Sequence, residues 1–422
     1  MTQTSSPATA PVQGLSLSER DRRWTATREL MQRLDLDLLL VCGFRGRDHY
    51  EHYLSNDYVE GVVVFPVAGT PVTAVTWGDT RIHRAEESFD RGVVPWIDDY
   101  RTGLDGSAVA GLITELSSRG RIGIVGLDTH TAGEFSGFIP ARFWMDLNAG
   151  LPGREIFEVS WEFNEMMLPK SEEELTLLRW AASAAEAAGQ AMVDVVAPGV
   201  PETEIYAEIM SALHRRGCGV RYPNLILTSG YPSLSWGPPR WTTTAEPPRR
   251  ITDRDLVMAE IFPAFGNVEV QAQMSIAVGK PDPVVAQCAA VARASYEAGL
   301  SVLRAGTTFT ELVHAMEQPV LENSCWALTP LVHSLNPLSF IGFTRANHQD
   351  APTVASLPAP PPRNLSRVQG TDLVLPAGTT LAFEPNACIG RTRVVLGGTV
   401  IVTDDGYEEV NSLSCRMHEK DV

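Results

Sequence analysis

One pattern, written twice, narrows the possible folds more than any other feature of the chain. A long Ala-rich helical stretch breaks at Pro198-Gly199, and Thr203-Glu204-Ile205 opens a shorter helix that ends near Gly217. Helical sequence from Val291 to Leu303 then breaks at Ala305-Gly306, and Thr310-Glu311-Leu312 opens a helix reaching Asn323. The copies lie about 107 residues apart, as expected of an internal repeat. Strand-rich sequence follows each, over 225–279 and 373–410. Two weakly similar halves predict an α+β domain with pseudo-twofold symmetry and a site between the halves.

The start of that domain is marked by Ser171 and Glu172-Glu173-Glu174, a helix cap with carboxylates in the first turn. Upstream, Ser16 caps an amphipathic helix running to Leu34. The apolar runs Leu38–Cys42, Gly61–Val67 and Arg121–Leu127 read as buried strands, with helical sequence such as Gly106–Ser118 between them. Strands alternating with helices predict an α/β domain. The expected divisions are a disordered tail at 1–14, an α/β domain at 15–160 and the repeated domain at 161–422. Residues 349–367 are Pro-rich and lack periodicity, which predicts a loop or lid.

Composition excludes several classes of function. The 422 residues carry 34 Lys+Arg against 51 Asp+Glu, a net charge of −17 that repels phosphate backbones and argues against a nucleic-acid partner. No run approaches the roughly 18 apolar residues of a membrane span. The first residues lack the basic stretch and apolar core of a signal peptide, so a cytoplasmic protein with a floppy N-terminal tail is expected. Six scattered cysteines, with no CxxC spacing, predict free thiols rather than a disulfide framework or a zinc knuckle. Charged residues at 20% fall below the usual 25% or so, which hints at surface buried between subunits.

Several segments resemble the creatinase and prolidase/aminopeptidase P family. They are Tyr53-Leu-Ser-Asn56, Lys170-Ser-Glu-Glu-Glu-Leu175, Pro198-Gly-Val-Pro-Glu-Thr-Glu-Ile205, Phe262-Pro263, Glu297 to Gly306, Phe383-Glu384-Pro385 and Val402-Thr-Asp-Asp-Gly406. Their order and spacing extend the resemblance over nearly the whole chain after the tail. It implies an α/β N-terminal domain plus an α+β pita-bread C-terminal domain with pseudo-twofold halves. It also implies a homodimer in which Tyr58 and Glu60 approach the neighbouring chain's cleft.

The family's peptidases hold two metal ions with two Asp, one His and two Glu, hard donors suited to activating water. At those positions this chain is expected to carry Glu260, Gln271, a residue near Ser339, Glu384, and Leu396-Gly397-Gly398. At most two carboxylates remain, so neither a metal nor another cofactor is expected. Creatinase works without metal, but its catalytic His should follow Ser229-Gly230, where the chain reads Tyr231-Pro-Ser-Leu-Ser-Trp236. Its substrate-binding Glu and Tyr align near Gln273 and Glu269.

The candidate site residues follow from chemistry and from this register. Strand alternation places Glu269, Gln271 and Gln273 on one face, which is either solvated or turned into the cleft. Glu384 follows Leu381-Ala-Phe383, where desolvation suits acid–base work, or it pairs with Arg391 or Arg393. His348 is a candidate proton shuttle or a surface-loop residue, and His333 a second candidate or a core histidine. Trp236 and Trp241 lie in a Pro-rich loop and either hold a flat or cationic ligand or simply pack. Arg391 and Arg393 either clamp a substrate carboxylate or form surface pairs with Asp404 or Asp405. Gly397-Gly398 either leaves room for a ligand or marks a bulge.

The expected activity is metal-independent acid–base cleavage or rearrangement of a C–N or similar bond in a small polar molecule. Glu384 and Glu260 would form the acid–base pair, with His348 as shuttle. Two alternatives stay open at this point: an inactive binding protein, and a metal-dependent Xaa-Pro peptidase or lyase.

Overall fold

The structure is a computed structural model that describes residues 14–44, 48–69, 72–76, 78, 80–117, 120–127, 138–344 and 373–421, with backbone alone for 80–85. His348, the Pro-rich 349–367 stretch and, Gly14 apart, the expected tail lie outside the described residues. Two compact units emerge, one from Gly14 to Met167 and one from Leu168 onward.

The first unit is an α/β layer structure. Its elements are α1 (Leu17–Arg33), β1 (Leu38–Cys42), α2 (Tyr50–Ser55), β2 (Val62–Pro66), β3 (Thr73–Thr76), α3 (Thr80–Arg91), β4 (Asp99–Thr102), α4 (Gly106–Leu116), β5 (Ile122–Val125), α5 (Ala141–Gly150), β6 (Ile156–Glu158) and α6 (Ser160–Met166). The Ser16 hydroxyl accepts the Glu19 N–H at 3.2 Å, so the expected cap opens α1. The six strands run in the order β4-β3-β2-β1-β5-β6, with β1 antiparallel to β2 and parallel to β5. Alternation along β1 sends Leu39 and Val41 into one core with Tyr50, Tyr53 and Phe163, and Leu38 and Leu40 into another with Val109 and Ile113. Both faces of this strand are dry, which is why it reads as an unbroken apolar run.

The second unit has the expected pita-bread arrangement. It contains α7 (Glu172–Val195), α8 (Glu202–Arg215), β7 (Gly219–Gly230), β8 (Leu256–Phe265), β9 (Val268–Glu269), β10 (Ala272–Val278), α9 (Pro283–Val302), α10 (Phe309–Glu322), β11 (Val332–Leu335), β12 (Ile341–Gly342), β13 (Thr380–Phe383), β14 (Asn386–Ile389), β15 (Thr392–Val395), β16 (Gly397–Val402), β17 (Tyr407–Glu409) and β18 (His418–Lys420). Ser171 and Glu174 form a reciprocal capping box that fixes the start of α7. Helix α9 starts well before the expected Val291, because the Asp282 carboxylate accepts the Val284 N–H and Pro283 fits the first turn.

The large sheet runs β12-β11-β13-β16-β10-β8-β7. Strands from the first half (β7, β8, β10) meet strands from the second (β11, β13, β16) where β10 pairs antiparallel with β16, Ala272 opposite Gly398 and Gln273 opposite Gly397. Helices α7 and α8 pack together beside the first set, and α9 and α10 pack together in the second half. Among the described residues no helix is long and apolar enough to cross a membrane.

Candidate active site

The seam between the halves carries a buried polar cluster. Glu260 on β8 lies directly opposite Gln273 on β10, so both side chains leave the same face of the sheet. Glu269 and Gln271 precede Gln273 at alternate positions and share that face. Gln271 Nε2 donates to Glu269 Oε1 at 2.9 Å, and Gln273 Nε2 to Gln271 Oε1 at 3.4 Å. All four residues are buried. The solvated-face alternative for this strand is therefore wrong: the residues lie inside and are linked by hydrogen bonds, with Gln273 Oε1 left without a donor among the described residues.

The second half supplies the rest. His333, on β11, places Nε2 at 3.2 Å from Gln271 Oε1 and 3.6 Å from Glu384 Oε1, while its Nδ1 meets the Ser334 carbonyl at 2.9 Å. Arg393 rises from β15, opposite Cys388 on β14, and is only 1% exposed. Its Nη2 is 3.6 Å from Glu260 Oε1 and 3.4 Å from the Thr329 hydroxyl. Trp236 comes from the loop after β7, is 53% exposed, and still donates its indole N–H to Glu260 Oε1 at 2.9 Å.

These surroundings set the proton affinities. Burial, and secondarily the Glu260 carboxylate, hold the Glu384 carboxyl well above its usual range, with Arg393 pulling the other way. Burial also raises Glu260, but there Arg393 and the Trp236 N–H both favour the anion. Both carboxyl groups are thus raised, Glu384 the more strongly, an asymmetry that suits Glu384 to the role of acid.

The remaining candidates fall elsewhere. Arg391 is exposed at the turn between β14 and β15, so it does not join Arg393 in a clamp. Arg393, for its part, is no surface partner of Asp404 or Asp405, because its strand pairing carries it inward. Trp241 packs edge-on against Tyr206 and does not contact Glu260. Tyr58, in the first unit, donates to Glu60 Oε1 at 2.9 Å. Gly397 and Gly398 leave no vacant space. Gly397 has φ +126°, and a Cβ there would run into the Phe383 carbonyl oxygen, while one on Gly398 would come within 2.7 Å of Asn411 Cβ. The glycines serve close strand approach at the seam.

Sequence reasoning missed several residues that hold the cluster in place. Thr399 accepts the Gln271 N–H at 2.9 Å, Asn336 exchanges hydrogen bonds with the Glu269 backbone, and Asn386 accepts the N–H groups of Leu328 and Thr329. The residues Asn336-Pro337 and Pro385-Asn386 carried the only available signal, a turn-forming side chain beside proline.

Comparison with known proteins agrees with this architecture. The model of metallopeptidase family M24 matches residues 176–404, more than half of the chain, and the chain belongs to that family. The probable dipeptidase PepE of Mycobacterium tuberculosis H37Rv is 26% identical over 254 residues, spanning 58% of this chain and 59% of that protein. The chain thus spans about 59% of the length of the curated relatives it matches. Among solved structures, dipeptidase PepE from Mycobacterium ulcerans superposes with a TM-score of 0.70 at 19% identity, covering 97% of this chain and 100% of that one. Xaa-Pro dipeptidase from Bacillus anthracis gives 0.69 at 18% identity, with coverage of 96% and 100%. Recombinant prolidase from Thermococcus sibiricus gives 0.71 at 13%, with coverage of 96% and 100%.

The family name implies a metal, and the residues here do not fit one. Among the described residues, no group of three or more His, Cys, Asp or Glu side chains is placed to hold an ion. Glu260 is engaged by an indole N–H and a buried guanidinium, and neutral amides stand at 271 and 273. A divalent ion would have to displace a fixed cation rather than fill a ring of anionic oxygens.

Proposed function

We propose that the chain is a metal-independent enzyme that cleaves or rearranges a C–N or similar bond in a small polar molecule. The observation that carries this reading is the buried Glu384 carboxyl, held well above its usual range beside His333, with the Glu260 carboxyl nearby against Arg393 and Trp236. In the hydrolytic form, the oxygen of water bonds to the carbon as the C–N bond breaks. The leaving nitrogen takes the Glu384 proton, and Glu260 accepts a proton from the attacking water. General acid–base catalysis of this kind contributes about 10²–10⁴-fold.

Trp236 offers a half-exposed ring face to a flat or cationic substrate. Gln273 Oε1, buried and without a hydrogen-bond donor among the described residues, offers an acceptor. The enzyme would act in the cytoplasm, a placement supported by six buried cysteines that form no disulfides. A homodimer, with Tyr58 and Glu60 near the partner's cleft, belongs to the same proposal, and a monomer by light scattering at micromolar concentration would end that part of it.

The decisive experiment is a thermal-shift and turnover screen of chelator-treated protein against small amines, guanidines, amino-acid derivatives and dipeptides, Xaa-Pro dipeptides included. Conversion without added metal supports the proposal. Turnover that appears only on adding metal overturns it, and a ligand that stabilises the protein without being converted marks a binding protein instead.

A further inference from the structure

The hydrogen bonds within the cluster fix where the protons sit. Glu269 Oε1 accepts from Gln271 Nε2, which orients that amide so that its oxygen faces His333 Nε2. The other imidazole nitrogen, Nδ1, faces the Ser334 carbonyl oxygen. Neither oxygen carries a proton, so each contact is a hydrogen bond only where the ring nitrogen donates, and an imidazole that donates from both nitrogens is a cation. Arg393 is the second buried cation. Two buried cations thus face the carboxyl groups of Glu260 and Glu384, and a charge in a dry cluster is costly unless it is paired.

We infer that Arg393 and His333 together supply, as two fixed organic cations, the double positive charge that a divalent ion would bring to this fold, and that the site thereby excludes such ions. This inference rests on the metal-independent reading above and gives it a physical cause. Arg393 comes from β15 and His333 from β11, both in the second half, and each lies within 3.6 Å of one of the two glutamates a metal would need.

The test uses the full-length protein and needs no turnover. Nitrogen-15 NMR of His333, identified by the signals lost in His333→Gln, is expected to show both ring nitrogens protonated at pH 7.5. A neutral tautomer would overturn the inference. Titration with Mn²⁺ to 1 mM, followed by electron paramagnetic resonance, is expected to leave the free-ion signal undiminished, and Zn²⁺ is expected to leave the melting temperature unmoved. One bound equivalent of either ion also overturns it. In Arg393→Ala, ethylguanidinium at about 100 times its dissociation constant should raise the melting temperature by several degrees, with no effect on the wild type. A folded variant that ignores the added cation counts against the inference, and if the variant does not fold, the first two measurements decide. Loss of turnover in Glu384→Gln addresses the enzymatic reading separately, so either idea can fail alone.

Discussion

Trp236 and Glu260 are joined by a 2.9 Å hydrogen bond although one ring is half exposed and the other group is fully enclosed. The indole therefore reaches from the surface to the seam of the sheet and favours the anion of a carboxyl group that burial raises. Trp236→Phe keeps most of the ring and removes the donor. The expected loss is about 1–2 kcal/mol, a value below the upper range for bonds to charged groups because the donor is partly wet. Glu260 would be raised further, so the acid limb of the pH–rate profile should move to higher pH. A profile that keeps its position would show that the bond does not govern Glu260.

Glu384→Gln separates chemistry from stability. If Glu384 transfers a proton, turnover should fall by about 10²–10⁴-fold while ligand binding persists. The effect on folding has the opposite sign. Because the folded Glu384 binds its proton more tightly than the unfolded chain does, the wild type holds more protons when folded at pH values above the ordinary carboxyl value of 4.5. Its stability is then highest below that value and declines as pH rises towards the raised folded value, by at most about 1.4 kcal/mol per pH unit for one group. The glutamine variant should lose this decline, measured as a flatter dependence of unfolding free energy on pH between 5 and 8. Unchanged turnover would remove Glu384 from the chemistry.

The two arginines of the β14–β15 hairpin should behave oppositely. Arg391→Ala, at the exposed turn, should change stability by no more than about 0.5 kcal/mol. Arg393→Met strands the buried Glu260 carboxylate and should cost about 3–5 kcal/mol. Chemical denaturation of both variants, with Glu260→Gln/Arg393→Met as the paired control, measures the contrast. Recovery of part of the loss in the double variant is expected, because the stranded charge is then gone.

Gly397→Ala should destabilise the protein by about 2 kcal/mol or more, since the backbone at φ +126° disfavours a side chain and the added methyl meets the Phe383 carbonyl. A variant that melts with the wild type would mean that the seam relaxes easily at this point.

The fold was readable in the sequence where local chemistry decides it. Ser171 and Glu174 announce their capping box three residues apart, and the duplicated helix–break–helix pattern announces the two halves. The shared face of Glu269, Gln271 and Gln273 was readable too, because strand alternation needs no partner. Whether that face was wet or dry was not readable, since the answer depends on His333, 62 residues further along the chain. Arg393 was ambiguous for the same reason: its burial follows from packing against Thr329 and Ser235, contacts that no window around position 393 contains. The start of α9 was legible and overlooked, as Asp282-Pro283 is a cap followed by a first-turn proline. Gly397-Gly398 left ligand room and a bulge equally open because a glycine in sequence shows what is missing and not what fills the space.

The β10–β16 seam also has a consequence for how the protein is made. Glu260 leaves the ribosome about 130 residues ahead of Arg393, an interval of roughly 7–27 s at ordinary rates of synthesis. Throughout that interval β10 has no β16 beside it, and the carboxylate that it shelters with β8 has no cation to face. A polypeptide released early, before β13, would keep an open strand edge and an unbalanced acid at the centre of its largest sheet, which marks it for aggregation or degradation. The charge pair thus closes late, and only a chain translated past β15 can close it.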